Sequence, residues 1–320
     1  MSRQRGAVGC GSGQCAGVTA RYDLPPMLRE TAFAVHEALD LGVGPRRLEA
    51  SDLRRPFHGV RVPAAFGSTL FERCVALSTR FRDGDAFAGA TAAQLWGMPV
   101  PAGLAHGPLF VSSRPPLHPM RRRGVVGSMR SHDAVVVFQG LPALNPADAW
   151  IDLAGLVDLD DAVAAADWLV TPRRERPALS TVTELEAAVE VARRRPGAFE
   201  ARRALPWVRV GAWSPRETLL RLLLVRTGIP EPELNRPITP AIVPDLAWPE
   251  YRVCAEYNGD YHDDEEQRPR DLRRAEAKER LGWSTVNVDR HDLPTAPVRV
   301  AARLRERGWP GTLTSLAEIS

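Results

Sequence analysis

The chain has 320 residues, of which 44% are hydrophobic and 25% charged, and its formal net charge is +3, a balance typical of soluble globular proteins. No apolar run approaches the ~18 residues of a membrane-spanning helix, so we expect a protein without a membrane partner. Residues 1–24 lack the apolar stretch of a signal peptide and predict a disordered tail, which makes the cytoplasm the expected compartment.

Residues 25–66 predict a winged helix-turn-helix-like segment. A periodic apolar stretch over 27–42 ends at Gly42, a short second helix is expected over 45–50, and the stretch PFHGVRVPA alternates like a strand. The pattern shows no basic recognition helix. DNA binding by this segment therefore stays an alternative beside a structural role.

Residues 67–172 predict a mixed α/β domain, with a helix in DAFAGATAAQLWGMPVP and strands in PLFVSS and AVVVFQG. The Pro- and Arg-rich segment 173–180 predicts a linker. Residues 181–320 then predict a second α/β domain, in which helices flank a small mixed sheet. The expected fold class of the whole chain is mixed α/β.

Three strands of the second α/β domain are expected at about 242–247, 251–258 and 284–289. A charged helix, ended by Gly282, is expected at about 269–281 between the last two strands. An earlier helix begins with Ser214-Pro215-Arg216-Glu217, a sequence that fits a capping box with proline at the first helical position.

Acidic and amide residues interrupt the first two of these strands, where such side chains are rare. A two-residue turn at 249–250 would pair Asp245 with Cys254 and place Glu256 diagonally on the same face, ~7–8 Å away. Asn258 follows on that face because side chains repeat every two residues. A loop with one residue more or fewer would divide the three side chains between two faces.

Two carboxylates at such a separation repel each other unless a cation lies between them. Mg²⁺ (or Mn²⁺) suits Asp245 and Glu256, because it binds a few carboxylates and keeps several waters. His262 follows four residues after Asn258 and could act as a general base. The alternative for Asp245 alone is an ordinary acid beside a turn.

Basic residues cluster in the charged helix and could neutralise DNA phosphates. They are Arg268, Arg270, Arg273, Arg274 and Lys278. The alternative is a solvated helix face, balanced by Glu276 and Glu279.

The order PD, E-x-N-G and Y-H, followed by an Arg-rich helix and GWSTVNV, resembles the PD-(D/E)XK nuclease superfamily over about residues 205–295. It looks most similar to the branch of very-short-patch-repair endonucleases. The resemblance implies metal ligands at Asp245 and Glu256, an early acid at Glu217, a histidine at His262 and a supporting acid at Asp271. Asn258 stands where the superfamily motif has its lysine.

The first half of the chain is similar to AbiEi-type antitoxins in GVRVP, GATAAQLWGMP and LNPADAWIDLA. This second resemblance implies a DNA or protein partner, such as a toxin, and no catalysis. Two functions are therefore expected as alternatives. One is a Mg²⁺-dependent DNA endonuclease, and the other is a non-catalytic DNA-binding or antitoxin-like regulator with a degenerate nuclease domain.

Overall fold

The computed structural model of the protein describes residues 23–131, 135–258 and 268–314. It confirms the expected mixed α/β class, with helices and three sheets in these ranges. The chain forms two compact units, one ending at Arg80 and the other starting at Phe81. No helix within the described ranges is both long and apolar enough to cross a bilayer.

The first unit contains a three-stranded antiparallel sheet of order β1-β3-β2. Its elements are β1 (Phe33–Ala34), α1 (Val35–Asp40), α2 (Pro45–Leu48), β2 (Leu53–Arg54), β3 (Val60–Pro63) and α3 (Leu70–Ser78). The helix expected over 27–42 begins only at Val35, because β1 pairs with Arg61 and Val60 of β3. The second expected helix is present as α2.

The second unit begins with a five-stranded sheet of order β6-β5-β4-β8-β7, against which helices pack. Its elements are β4 (Asp85–Phe87), α4 (Gly89–Leu95), α5 (Ala102–Ala105), β5 (Leu109–Ser113), β6 (Val125–Met129), β7 (Val135–Phe138), β8 (Leu141–Leu144), α6 (Pro146–Ala154), α7 (Leu159–Val170), α8 (Val182–Val191) and α9 (Ala198–Ala204).

The segment 173–180, expected to be a linker, lies inside the second unit. The Leu179 amide donates to the Leu169 carbonyl at 2.9 Å, and the Arg176 guanidinium stacks on the Trp168 ring at 3.9 Å. One apolar core joins both sides of the segment, since Trp150 and Leu169 belong to the same buried cluster as Leu185, Val189 and Leu222.

The chain ends in a four-stranded mixed sheet of order β12-β11-β10-β9. The elements are α10 (Pro215–Arg226), β9 (Glu233–Leu234), β10 (Leu246–Trp248), β11 (Val253–Tyr257), α11 (Arg268–Arg280), β12 (Ser284–Val288) and α12 (Ala296–Glu306). One face of this sheet is apolar and packs on α10 and α12. The buried cluster there includes Leu246, Trp248, Val253, Ala255, Val286, Val288, Leu220, Leu224, Val300 and Leu304.

The register of β10 and β11 differs from the expected one by two residues. Trp248 pairs with Val253, so the loop has four residues instead of two. Within it, the Arg252 amide donates to the Pro249 carbonyl at 3.2 Å, and Arg252 adopts a φ of 52°. A shift of two residues preserves the faces of a strand, so the polar side chains stay together on the face opposite the apolar core.

Candidate metal-dependent active site

The polar face of the four-stranded sheet forms the floor of a cavity of about 240 Å³. Continuing the β10–β11 register by one pair sets Asp245 opposite Glu256, and Asn287 of β12 pairs with Glu256 on its other side. The lining side chains from the sheet are those of Asp245, Glu256, Asn258, Thr285 and Asn287. Carboxylate, amide and hydroxyl groups from β10, β11, β12 and the residues next to these strands therefore line one cavity.

Helix α11 covers this cavity because of the sheet topology. Strands β11 and β12 are parallel, so the chain must cross over one face of the sheet between them. The crossover helix ends where Trp283 N–H donates to the Lys278 carbonyl at 2.9 Å and Gly282 adopts a φ of 77°. Arg274 and Lys278 of α11 line the cavity from above.

Lys278 contacts Glu256 directly. Its Nζ lies 2.6 Å from Glu256 Oε2, and its side chain is only 3% exposed. The sequence pattern placed Lys278 among residues that contact DNA phosphates, but the structure places its ammonium inside the carboxylate cavity. Lys278 thus brings a positive charge to Glu256 from a helix, 22 residues further along the chain.

Asp245 is partly buried, and its Oδ2 accepts a hydrogen bond from the Tyr257 backbone N–H at 2.7 Å. Burial first, and then the negative charges of Glu217 and Glu256, raise the pKa of its carboxyl to about 7, against the opposing effects of the Tyr257 hydrogen bond and the Lys278 ammonium. The fold therefore holds an acid whose ionisation near neutral pH is disfavoured by its surroundings. A bound cation would reverse that balance.

Glu217 contributes to the cap of α10, and its carboxylate is buried. It is the third residue of α10, its N–H donates to the Ser214 hydroxyl at 3.2 Å, and its carboxylate accepts the Trp213 N–H at 2.8 Å. The side chain is nevertheless buried, and its charge acts on Asp245. A helix cap thus lies beside the acidic cavity, so the capping function does not exclude an electrostatic one.

The remaining predicted site residues are only partly described. Arg273 and Arg274 are exposed on α11, and Arg274 reaches the cavity. Arg268, Arg270 and Asp271 belong to the same helix, but their side chains lie outside the described part of the structure. His262 also lies outside the described residues.

Lys278 had a sequence signal that motif reasoning missed. Among the 42 Lys and Arg residues of the chain, it is the only lysine. An arginine would present a planar fork that tends to engage both oxygens of a carboxylate, whereas an ammonium is a compact point charge. The single lysine in a chain that otherwise uses arginine is the signal by which the sequence alone could have singled out this position.

The donor set fits a hard divalent cation. Within residues 23–131, 135–258 and 268–314, no three His, Cys, Asp or Glu side chains form a ready-made metal cluster. Mg²⁺, however, is usually held by one or two carboxylates and keeps several waters. Asp245 and Glu256 supply two such carboxylates beside a cavity that has room for water, and Asn258 and Asn287 add amide groups.

Similarity to known proteins covers only part of the chain. No family model matches the sequence. Two uncharacterised proteins of Mycobacterium tuberculosis, Rv2248 of strain H37Rv and MT2308 of strain CDC 1551, are each 35% identical over 127 residues, which is 38% of this chain and 47% of theirs. The match thus spans about half the length of these curated relatives.

A solved structure, that of the Rv2827c protein of M. tuberculosis, aligns with 56% of this chain and 72% of its own at 20% identity, with a TM-score of 0.38. A likeness at that level carries no conclusion about fold or function.

Proposed function

We propose that the protein is a Mg²⁺-dependent (or Mn²⁺-dependent) endonuclease that hydrolyses DNA phosphodiester bonds at the cavity formed by Asp245, Glu256 and Lys278. The single observation that carries the proposal is the Lys278 ammonium, which is buried 2.6 Å from Glu256 on the polar face of the sheet. It restores the two-acid, one-lysine set that the Asn258 substitution removes from the PD-(D/E)XK pattern.

The carboxylates of Asp245 and Glu256 hold the cation in this proposal. When bound, the cation polarises the phosphodiester and stabilises the leaving oxygen. The water gives up a proton as its oxygen forms the new bond to phosphorus, and the bond from phosphorus to the leaving sugar oxygen breaks as that oxygen takes up a proton. The Lys278 ammonium orients the water and stabilises negative charge on the phosphate. His262 enters only through the family resemblance, as the group that transfers the proton.

The exposed arginines of α11 supply the contacts with the rest of the DNA. Arg273 and Arg274 lie on the helix that covers the cavity, and Arg274 is at its wall. Guanidinium groups at this place would neutralise the phosphates on either side of the one being cleaved. Their substitution should weaken binding and reduce its salt dependence without removing cleavage.

Incubation with supercoiled plasmid tests the proposal. We expect relaxed or linear DNA in Mg²⁺ or Mn²⁺, no product in EDTA, and no product with the Asp245→Ala, Glu256→Ala double variant. Cleavage by the double variant that matches the wild type would overturn the site assignment.

The alternative function, a non-catalytic DNA-binding or antitoxin-like regulator, is favoured by two observations. The described residues contain no group of three metal-ligating side chains, and Asn258 replaces the motif lysine. This alternative predicts a mobility shift of DNA that is salt-sensitive, unaffected by EDTA and retained by Glu256→Ala. A shift that disappears in EDTA, together with plasmid cleavage in Mg²⁺, contradicts it.

A further inference from the structure

Asn235, the residue after β9, connects Glu217 and Asp245. These two acids belong to different elements and lie far apart in the sequence. Its side-chain Nδ2 donates to Glu217 Oε2 at 2.7 Å and to the Gly211 carbonyl at 2.8 Å. Its backbone N–H donates to the carbonyl of Asp245 at 2.9 Å. One residue therefore ties the start of α10 to the start of β10.

The conformation of Asn235 is specialised for these contacts. It adopts a φ of 46°, in the left-handed region that asparagine tolerates better than most other residues, and it is 9% exposed. Both side-chain partners are acceptors, so the amide nitrogen, and not the oxygen, must face them. A glycine would allow the same backbone, but it would leave the buried Glu217 carboxylate with the Trp213 N–H as its remaining described donor.

We propose that Asn235 is a positioning residue of the acidic site, which acts through Glu217 to set the affinity of the cavity for a divalent cation. The inference rests on the proposed function. Its amide holds the buried Glu217 carboxylate in place, and its backbone N–H fixes the place where Asp245 enters the cavity. The negative potential of Glu217 then adds to that of Asp245 and Glu256 when a cation binds.

The charge on Glu217 is useful to the site only when a cation is present. Without one, the carboxylates of Glu217 and Asp245 repel each other. With a cation bound, the same charge becomes attractive. Partners of this kind, one step removed from the metal, typically change metal affinity by ~10–100-fold when they are lost.

The only lysine of the chain provides a built-in reporter for the test. In full-length protein labelled with ¹³C-lysine, Lys278 gives the single lysine side-chain signal, and paramagnetic Mn²⁺ bound beside Glu256 will broaden it. We expect the Mn²⁺ midpoint to rise about tenfold in Asn235→Gly and in Glu217→Gln. If Asn235 acts through Glu217, the double variant should lie within about threefold of Glu217→Gln alone, because coupled residues are not additive.

A matched control removes the side-chain amide of another asparagine in the same unit, one that caps a helix. Asn145→Gly deletes the side chain that caps α6 by accepting the Asp148 N–H at 2.8 Å, and its Mn²⁺ midpoint should stay within about twofold of the wild type. A wild-type midpoint in Asn235→Gly, or losses that add in the double variant, would overturn the role of Asn235. If Asn235→Gly does not fold, a wild-type midpoint in Glu217→Gln overturns it equally.

The titration also separates this inference from the proposed function. A wild-type Lys278 signal that Mn²⁺ never broadens shows that the metal site itself is absent, and both proposals then fall. If the wild-type signal broadens and the variants keep the wild-type Mn²⁺ midpoint, only the role proposed for Asn235 is contradicted.

Discussion

Asp245 is the residue whose charge state controls the candidate site. Its carboxyl contacts the Tyr257 amide, and its pKa of about 7 reflects burial first and the charges of Glu217 and Glu256 next. In an unfolded chain, an aspartate ionises near pH ~3.9. Between these two values the folded protein holds a proton that the unfolded chain has released, so the contribution of Asp245 to the free energy of unfolding decreases as the pH rises from about 4 to 7.

This linkage predicts the effect of Asp245→Asn in metal-free protein. The amide keeps an acceptor for the Tyr257 N–H but carries no charge. At pH 8 the variant should therefore melt above the wild type by ~2–4 °C, a shift that corresponds to about 1 kcal/mol in a domain of this size. At pH 4, where this loss of stability has only begun, the two should melt close together. The control is Asp83→Asn, an exposed aspartate of the same unit, and equal melting temperatures at both pH values would contradict the buried state of Asp245.

The same linkage predicts that metal stabilises the protein more at high pH. A divalent cation binds the ionised carboxylate, so the increase in melting temperature on adding Mn²⁺ should be larger at pH 8 than at pH 6. Asp245→Asn should remove this increase in melting temperature at both pH values. Thermal melting with and without EDTA checks this prediction, and a rise in melting temperature that is independent of pH would contradict it.

The sequence placed Asp245 and Glu256 together through a motif and the period of a strand. It could not place Lys278, because 22 residues and a parallel crossover separate that side chain from Glu256. Periodicity gives the faces of one element but not which helix face lies over which sheet face. Asn235 was equally hidden, since its role depends on a left-handed conformation and on three partners from separate segments.

At the scale of elements, a buried ion pair fixes the helix that carries Glu217. Arg221 of α10 has a side chain that is 0% exposed, and it contacts Asp167 of α7 at 3.0 Å and Glu231 at 3.1 Å. Asp167 also accepts the Thr218 hydroxyl at 2.9 Å. The position of α10, and with it that of Glu217, therefore depends on its contact with α7.

Arg221→Met should destabilise the protein by ~3–5 kcal/mol, because it leaves the buried Asp167 carboxylate without its guanidinium. Urea unfolding measures the difference. Arg202→Met, at a side chain that is 48% exposed and lies 3.7 Å from Glu190, should change stability by less than about 1 kcal/mol. Equal effects of the two substitutions would contradict the account of α10.

Helix and strand positions of the second unit followed from periodicity, capping residues and terminal glycines, as α10 and α11 show. The register of β10 and β11 could not be predicted in this way. Pro249-Glu250 suggests a two-residue turn, whereas the left-handed Arg252 closes a loop of four residues. The polar side chains still share one face only because the observed register differs from the expected one by an even number of residues.

At the scale of the whole molecule, each of the two units has an apolar cluster of its own, and that of the second unit includes residues on both sides of the segment 173–180. The Pro/Arg-rich composition of that segment suggests a boundary. Composition cannot reveal that Trp150 and Leu169 before it pack in one cluster with Leu185 and Leu222 after it. Contacts between residues so far apart in the sequence become visible only in the folded structure.

Two truncated chains test this organisation. A chain that begins at Phe81 should melt cooperatively, because it keeps its complete core. A chain that begins at Thr181 should expose Leu185, Val189 and Leu222, bind a hydrophobic dye and show no cooperative melting. Cooperative melting of the shorter chain with Mn²⁺ binding intact would instead support the expected domain boundary.

The rate of plasmid cleavage by Lys278→Met tests the central claim most directly. If the lysine of α11 completes the active site, then the variant, at saturating Mn²⁺ and pH 8, should be slower than the wild type by about 10²–10³-fold, the effect of losing one charge-stabilising donor. Arg303→Met, an exposed residue of α12, is the control and should cleave at the wild-type rate. Cleavage by Lys278→Met at the wild-type rate would contradict the assignment of this site.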